Sequence, residues 1–264
     1  MNWLEAVILG IVQGLTEFLP VSSSGHLTLA REILGIPYSG NVTFEVLVHA
    51  ATVLSTITVF GKEIWNIIAG LFKFKWNDET QYACKILVSM IPILIVGLFF
   101  KDTVESFFGS SVVLVGVMLL VTALLLALTQ FVKFKERHGV TFGNAFLIGC
   151  AQAVAVLPGL SRSGSTIAAG LLAGVRKEDV AQFSFLMVII PILGEAFLDL
   201  VGGEFSVSQC GIPATSLFCG FAAAYLSGLA ACKLMIRVVK KANLIWFSLY
   251  CLIVGLIAII AGLC

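Results

Sequence analysis

Two serine-rich polar stretches, each enclosed by apolar sequence, constrain the fold of this chain more than any other feature. The first stretch covers 18–26 and reads FLPVSSSGH, and the second covers 157–166 and reads LPGLSRSGST. In hydrocarbon, an unpaired backbone group is so costly that irregular polar backbone is tolerated only where protein buries it or where it lines a cavity. Both stretches are therefore candidate functional sites.

The two stretches are also similar to each other. At an offset of 139 residues, five identical pairs align, with the Leu-Pro pair displaced by one position: Gln13 with Gln152, Ser22 with Ser161, Ser24 with Ser163, Gly25 with Gly164, and Phe44 with Phe183. We predict a duplication within one membrane domain, 1–264, with repeats at 1–138 and 139–264. The chemistry of such a protein is expected where the two copies meet.

The composition supports a membrane protein. Hydrophobic residues make up 59% of the 264 residues and charged residues only 12%, whereas soluble domains carry about 25% charged residues. A net charge of +1 without a long basic run indicates no nucleic-acid partner. The first twenty residues lack a basic segment, so we expect mature structure there and not a cleaved signal peptide. The seven cysteines form no CxxC pair, and we interpret them as packing residues.

The apolar pattern predicts an all-α polytopic fold, in which each repeat has one re-entrant helical hairpin and three transmembrane helices. A span needs about 20 apolar residues, and both polar stretches interrupt shorter apolar segments, which is typical of a re-entrant hairpin. The hairpins are predicted at about 4–34 and 143–175. The spans are predicted at about 42–60, 82–100, 111–131, 178–200, 213–232 and 243–263.

Charge predicts the orientation of these spans. Basic residues follow the first, third and fifth spans: Lys62, Lys73, Lys75, Lys85, Lys133, Lys135, Arg137, Lys233, Arg237, Lys240 and Lys241. The loops at 101–110 and 201–212 instead carry Asp102, Glu105 and Glu204. By the positive-inside rule the basic loops are cytoplasmic. The first hairpin then enters from outside and the second from the cytoplasm, which predicts inverted-topology repeats.

The first basic loop contains a segment of mixed character at 62–76, in which lysines alternate with Trp, Phe, Ile and Leu. This pattern favours an amphipathic helix in the cytoplasmic interface. An ordinary cytoplasmic loop is the alternative.

Arg162 is the first candidate for chemistry, because a guanidinium in a hydrophobic protein needs a partner. Hydroxyls surround it, from Ser161, Ser163, Ser165 and Thr166, and an apolar helix follows. Hydroxyls, free N–H groups at a helix start and an Arg fork are typical of an anion site. The alternative is an Arg paired with an internal carboxylate, for which Glu195 is a candidate.

The first hairpin supplies groups that the second lacks. Gln13 and Glu17 share a helix face at i, i+4, and a hydroxyl-rich turn follows with Ser22, Ser23, Ser24, Gly25 and His26. A carboxylate, an imidazole and a hydroxyl nucleophile suit phosphoryl-group hydrolysis. The alternative for His26 is a satisfied core residue. Glu45 and His49 are also at i, i+4, and we interpret them equally as partners of the site or metal ligands and as a structural pair.

At these residues the chain resembles the undecaprenyl-diphosphate phosphatases, the bacitracin-resistance protein family of bacterial inner membranes. The family pattern Glu/Gln-x3-Glu matches 13–17 and continues through FLPVSSSGH, and PGxSRSxxT matches 158–166. The resemblance implies hydrolysis of the lipid diphosphate with a divalent cation, Mg²⁺ or Ca²⁺. It also implies roles for six residues: Glu17, Ser23, His26, Ser161, Arg162 and Thr166. Gln13 stands at the more variable acid position, where its neutral amide would be a weaker metal ligand.

These observations give one hypothesis for the site. We predict catalytic roles for Glu17, Ser23, His26 and Arg162, and metal binding by Glu17 and Gln13. Substrate binding is predicted for Ser22, Ser24, Gly25, Ser161, Ser163, Gly164 and Thr166. Ser23, His26 and an activated water remain alternatives as nucleophile, and we favour Ser23. The hypothesis requires Arg162 to lie near Glu17 and His26.

The expected partners are a polyprenyl diphosphate lipid and the bilayer of the bacterial inner membrane, with the site opening to the outer side. A homodimer is kept as a possible assembly, because the sequence leaves the oligomeric state open. A transporter or flippase of the same lipid carrier is the alternative function, because inverted repeats with broken helices are transporter architecture.

Overall fold

The structure, a computed structural model, describes residues 1–36, 43–100, 103–104, 107, 111–131, 138–202, 211–241 and 243–263. Within these ranges the regular elements are helices, apart from an isolated bridge between His138 and Val175. The charges predicted to set orientation at Asp102, Glu105, Lys133, Lys135, Arg137 and Glu204 lie outside the described residues. In chain order the helices are α1 Trp3–Phe18, α2 Ser23–Leu34, α3 Thr43–Val59, α4 Gly61–Leu71, α5 Asp78–Phe99, α6 Val112–Phe131, α7 Phe142–Val154, α8 Arg162–Leu172, α9 Lys177–Met187, α10 Ile189–Gly202, α11 Ala214–Lys241 and α12 Ile245–Leu263.

The predicted all-α membrane fold is confirmed. In the described part of the chain, five helical segments are long and apolar enough to cross a membrane: α5, α6, α9 with α10, α11 and α12. The predicted first span is α3, which forms a sixth candidate span together with α4. The two predicted hairpins are α1 with α2 and α7 with α8, and each is interrupted at its serine-rich stretch. The chain is therefore a multi-pass membrane protein.

The segment at 62–76 begins as a helix that turns away from its span. α4 makes an angle of 77° with α3, so the two do not form one straight helix. Large aromatic side chains are exposed along and after it: Trp65, Phe72, Phe74 and Trp76. Exposed Trp and Phe beside lysines on such a helix are typical of an interfacial position, which agrees with the amphipathic-helix interpretation.

The two hairpins open toward opposite ends of the bundle. At the open end of the first hairpin, Arg31 pairs with Glu45 at the start of α3, with 3.2 Å between Nη1 and Oε1. At the open end of the second hairpin, the ring of Phe142 lies under the ammonium of Lys85 near the start of α5. Since α3 separates the start of α3 from the start of α5, we infer that these two ends lie on opposite sides. Inverted repeats require this arrangement, and the inverted repeat and its boundaries both stay a prediction.

Small residues let the first hairpin approach α11 closely. A Cβ added to Gly14 of α1 would lie 2.0 Å from Ser227 Oγ, and one added to Gly10 would lie 2.4 Å from the carbonyl oxygen of Gly220. Close backbone approach through small residues is a common way to pack helices in membranes. This packing fixes α1, and with it Glu17, against the long helix α11.

Candidate active site

The tip of the first hairpin is a short turn between α1 and α2. Ser22 caps α2, and its Oγ accepts a hydrogen bond of 3.2 Å from the backbone N–H of Gly25. Ser22 also has a φ of 68°, a left-handed backbone value that residues other than glycine rarely adopt. This cap turns α2 so that Ser23, its first residue, faces back toward α1.

The tip of the second hairpin has the same cap. Ser161 Oγ accepts a hydrogen bond of 3.0 Å from the backbone N–H of Gly164. In each tip the cap serine also contacts the serine two residues later, at 3.3 Å between Ser22 and Ser24 and 3.4 Å between Ser161 and Ser163. Residues that align in the sequence thus occupy equivalent places, as expected from a duplication.

The two tips are in contact with each other. Ser163 Oγ donates a hydrogen bond of 3.0 Å to the carbonyl oxygen of Leu19, and Gly159 N–H lies 3.5 Å from Ser24 Oγ. A Cβ added to Gly25 would be 3.1 Å from the Cα of Gly159, which itself has a φ of 92°. Glycine at both positions allows this approach, because a side chain would separate the backbones. The site is therefore built from both halves of the chain.

Three side chains converge on one oxygen of Glu17. Ser23 Oγ donates to Oε2 at 2.5 Å, and Gln13 Nε2 donates to the same atom at 2.8 Å. His49 Nε2, from α3, lies 3.4 Å from it. A carboxylate that accepts the hydrogen of a serine hydroxyl is arranged to act as a general base toward that serine.

His49 joins the site in a way that the sequence left open. Its Nδ1 is 2.8 Å from the backbone carbonyl of Glu45, not from the Glu45 carboxylate, which pairs with Arg31. Because a carbonyl only accepts, Nδ1 carries the hydrogen and Nε2 faces Glu17. Of the two interpretations of His49, the structure supports a partner of the site.

Arg162 and Glu17 line one cavity at the junction of the hairpins. Ser163 also lines it, along with Ser184 from α9 and apolar side chains such as Val53, Val188 and Ile192. A positive and a negative side chain therefore face the same cavity. Glu195, considered as a counter-ion for Arg162, is instead exposed on α10.

The described hydrogen bonds of His26 are to groups other than Glu17 and the three side chains that converge on it. Its Nδ1 is 2.8 Å from the carbonyl oxygen of Ser22, and its Nε2 is 2.7 Å from the hydroxyl of Tyr250 in α12. The rings of His26 and Tyr250 stack with centroids 5.6 Å apart. The structure therefore brings Glu17, Ser23 and Arg162 together, whereas the described contacts of His26 are with its own turn and with α12.

The sequence of the chain matches a known protein family and several relatives. The model of the family described as bacitracin resistance protein BacA matches residues 6–257. The chain belongs to this family. It is similar over nearly its whole length to proteins named undecaprenyl-diphosphatase, with 58% identity to that of Parabacteroides distasonis (98% of each chain) and 56% to that of Bacteroides thetaiotaomicron (100% of each chain). A more distant relative of the same name, from Christiangramia forsetii, is 51% identical over 98% of each chain.

The other predicted binding residues of this family member mainly shape the tips. Thr166 is buried, and its hydroxyl donates to the carbonyl oxygen of Arg162 at 2.9 Å. Ser161 is a cap, and Gly164 packs near Pro20, since a Cβ on Gly164 would be 3.4 Å from the Cβ of Pro20. These residues fix where Arg162 begins its helix.

Several lining residues escaped the sequence analysis. Thr52 and Thr56 of α3 line the cavity and stand on the same helix face as His49, at spacings of three and four residues. That polar stripe was visible in the sequence. Ser184 is the residue that aligns with Glu45 at the offset of 139, and Tyr250 gave no sequence signal.

The groups around Glu17 decide whether the site fits a divalent cation. Among the described residues no group of three or more His, Cys, Asp or Glu could hold a metal, so that part of the chain supplies no complete cage. Gln13 Oε1 is buried without a hydrogen-bond partner among the residues that the structure describes, and Gln13 stands beside Glu17. Mg²⁺ is commonly held by one or two carboxylates together with substrate phosphates and water. The residues fit a cation that the substrate helps to bind.

Proposed function

We propose that this chain is an integral membrane undecaprenyl-diphosphatase, which hydrolyses undecaprenyl diphosphate to undecaprenyl phosphate and inorganic phosphate in recycling of the cell-wall lipid carrier. The names of relatives that match the whole chain support this function. The observation that carries it is the hydrogen bond from Ser23 to Glu17, because Glu17 lines the same cavity as Arg162. In this proposal Ser23 is the nucleophile, Glu17 is its base and Arg162 is the positively charged group that binds phosphate.

The proposed reaction uses Ser23 as nucleophile. Ser23 Oγ attacks the terminal phosphorus while its proton passes to Glu17 Oε2, 2.5 Å away. The bond from phosphorus to the bridging oxygen breaks, and undecaprenyl phosphate leaves. Glu17 gives this first proton to the leaving group and then deprotonates a water, which attacks the phosphorus of the phosphoserine. The bond from phosphorus to Ser23 Oγ breaks, inorganic phosphate leaves, and Glu17 returns the second proton to Ser23 Oγ.

Arg162 is proposed to bind the phosphate oxygens. Its fork can make two parallel hydrogen bonds to phosphate, and the free N–H groups at the starts of α2 and α8 add partial positive charge. Electrostatic stabilisation of this kind is the main contribution expected in phosphoryl transfer. Ser184, whose buried hydroxyl has no hydrogen-bond partner among the described residues, would offer a further donor from α9.

A divalent cation, Mg²⁺ or Ca²⁺, is part of the proposal. Glu17 and Gln13 Oε1 would hold it together with the diphosphate of the substrate. When bound, the cation would neutralise phosphate charge and polarise the bond that breaks. The second oxygen of Glu17 would remain available to Ser23.

The proposed location is the bacterial inner membrane, with the site reached from the outer side. The prenyl tail would lie in lipid between the spans, next to the apolar lining of the cavity at Val53, Val188 and Ile192. A homodimer stays a prediction. Transport of the lipid carrier is the less supported function, because the relatives are named for hydrolysis and transport needs no serine paired with a base.

The experiment that tests the function is phosphate release by the purified protein from a prenyl diphosphate in detergent, with and without a chelator. We expect release of one phosphate per substrate and its loss when the cation is removed. Substrate binding without release would contradict hydrolysis and favour transport.

A further inference from the structure

The imidazole of His26 is engaged on both sides by the protein itself. Nδ1 contacts the carbonyl oxygen of Ser22 at 2.8 Å, and Nε2 contacts the hydroxyl of Tyr250 at 2.7 Å. We propose that His26 is a positioning residue that takes no part in proton transfer. His26 and Tyr250 form a clamp, by which we mean the hydrogen-bonded pair that fixes the turn and so orients Ser23 toward Glu17. The inference rests on the proposed hydrolysis, because it concerns how the nucleophile of that reaction is held.

The acceptor at Nδ1 determines the tautomer of the ring. A carbonyl oxygen can only accept, so Nδ1 must carry a hydrogen and donate it to Ser22. In the neutral ring Nε2 then accepts, and the hydroxyl of Tyr250 donates to it. The ring of His26 has no nitrogen left to take a proton from Ser23 or water unless the bond to Tyr250 breaks. The hydroxyl of Ser23, meanwhile, already donates to Glu17 at 2.5 Å.

The turn held by His26 is one that needs support. Ser22 has φ 68° and ψ 98°, outside the regions that non-glycine residues normally occupy, and such a conformation costs about 1–3 kcal/mol. The carbonyl oxygen of Ser22 is bound twice by His26, by the backbone N–H at 3.1 Å and by the ring. Because Ser23 follows Ser22 directly, a change in this peptide would rotate the serine hydroxyl away from Glu17.

The far side of the clamp is anchored in α12. Cys251, next to Tyr250, is buried, and its Sγ lies 3.6 Å from the carbonyl oxygen of Pro20 in the same turn. Ser248 Oγ, one helical turn earlier, donates to the carbonyl oxygen of Ala123 in α6 at 2.6 Å. The last helix of the chain thus holds the first hairpin at two points and is itself fixed to α6. This arrangement suits a rigid support.

The test compares three variants of the full-length protein in detergent. His26→Asn keeps a donor at the place of Nδ1, because the Asn amide nitrogen and His Nδ1 are at equivalent positions, but it cannot act as a base. His26→Ala removes both bonds of the ring, and Tyr250→Phe removes only the bond to Nε2. Tyr225→Phe is the matched control, since it removes another hydroxyl of a membrane helix, 3.2 Å from Thr58 Oγ1.

The clamp predicts a graded effect on turnover. We expect kcat to fall about three- to tenfold in Tyr250→Phe and in His26→Asn, the effect of one hydrogen bond, and at least about thirtyfold in His26→Ala. KM should change less than about twofold, because the phosphate-binding groups are untouched, and Tyr225→Phe should match the wild type. A general base contributes about 10²–10⁴-fold, so equal losses of that size in His26→Asn and His26→Ala would overturn the proposal.

The double variant His26→Asn/Tyr250→Phe separates this inference from the proposed function. Since the two substitutions remove the same bond, the double variant should have the kcat and the melting temperature of either single variant, whereas independent effects that add would overturn the clamp. Wild-type protein that releases no phosphate would refute the proposed hydrolysis. The melting temperatures alone would then decide whether His26 and Tyr250 are coupled.

Discussion

The two hairpin tips have the same scaffold but carry different chemistry. In both, a serine caps a helix by accepting a hydrogen bond from a glycine N–H three residues on. At the offset of 139, however, Ser23 aligns with Arg162, and His26 aligns with Ser165. In the proposed reaction, the first tip supplies the nucleophile Ser23 and the second supplies the guanidinium of Arg162.

The difference extends to the helices that lead into the tips. The first carries Glu17, whereas the corresponding place in the second is occupied by Ala155 or Val156, depending on where the one-residue shift falls. Gln13 donates to Glu17, while both amide atoms of its counterpart Gln152 are buried without hydrogen-bond partners among the described residues. The two tips therefore share one capping frame, and of the two helices that lead into them only α1 carries a carboxylate at this place. The comparison leads to four predictions.

The largest effect is expected from Glu17→Gln, because Glu17 is the base that the proposed reaction uses at the first tip. An amide cannot take the proton of Ser23, so kcat for phosphate release should fall about 10³-fold. Glu5→Gln is the matched control, because Glu5 stands in the capping box at the other end of α1, and it should keep the wild-type rate. A loss below tenfold in Glu17→Gln would move the base to another residue.

Arg162→Lys tests the guanidinium group that the second tip carries. Lys keeps the positive charge but loses the bidentate fork, so we expect kcat/KM to fall about 10- to 100-fold, the effect of one or two charge-assisted hydrogen bonds. Arg176→Lys, at an exposed arginine that pairs with Asp179, should leave the rate unchanged. Near-normal turnover in Arg162→Lys would show that charge alone is sufficient.

His49 sharpens the comparison, because it connects α3 to Glu17, the carboxylate next to the first tip. His49→Leu removes the ion pair that the protonated imidazole makes with Glu17 Oε2, and we expect kcat to fall about tenfold through loss of this charged contact. His49→Gln places an amide nitrogen near the position of Nε2 and should remain within about threefold of the wild type. Equal rates for the Leu and Gln variants would mean that His49 only fills space.

The smallest effects should come from the caps that the tips share. Ser22→Ala and Ser161→Ala each remove one capping bond, worth about 1 kcal/mol of the free energy of unfolding. We therefore expect similar falls in melting temperature for the two variants, measured in the same detergent. A much larger fall for one of them would show that the scaffolds differ in stability as well as in chemistry.

The sequence predicted which segments form the site but not which side chains contact each other there. Both hairpins, the six spans and the meeting of Arg162 with Glu17 followed from polar stretches that apolar sequence could not accommodate otherwise. The side chain pairings were less accessible. Glu45 and His49 looked like partners at i, i+4, yet the Glu45 carboxylate binds Arg31 and His49 faces Glu17, because neighbouring helices offered each of them a different group.

The sequence by itself determined that the chain crosses a membrane, that its two serine-rich stretches resemble each other, and that these stretches lie at two helix breaks. Length, hydropathy and local capping are properties of contiguous residues, so they are readable in order. Only the tertiary structure decided that His26 faces Tyr250, more than two hundred residues away, while Ser23 faces Glu17. Which side of a short helix meets which neighbour depends on how the whole bundle packs, and no local pattern contains that information.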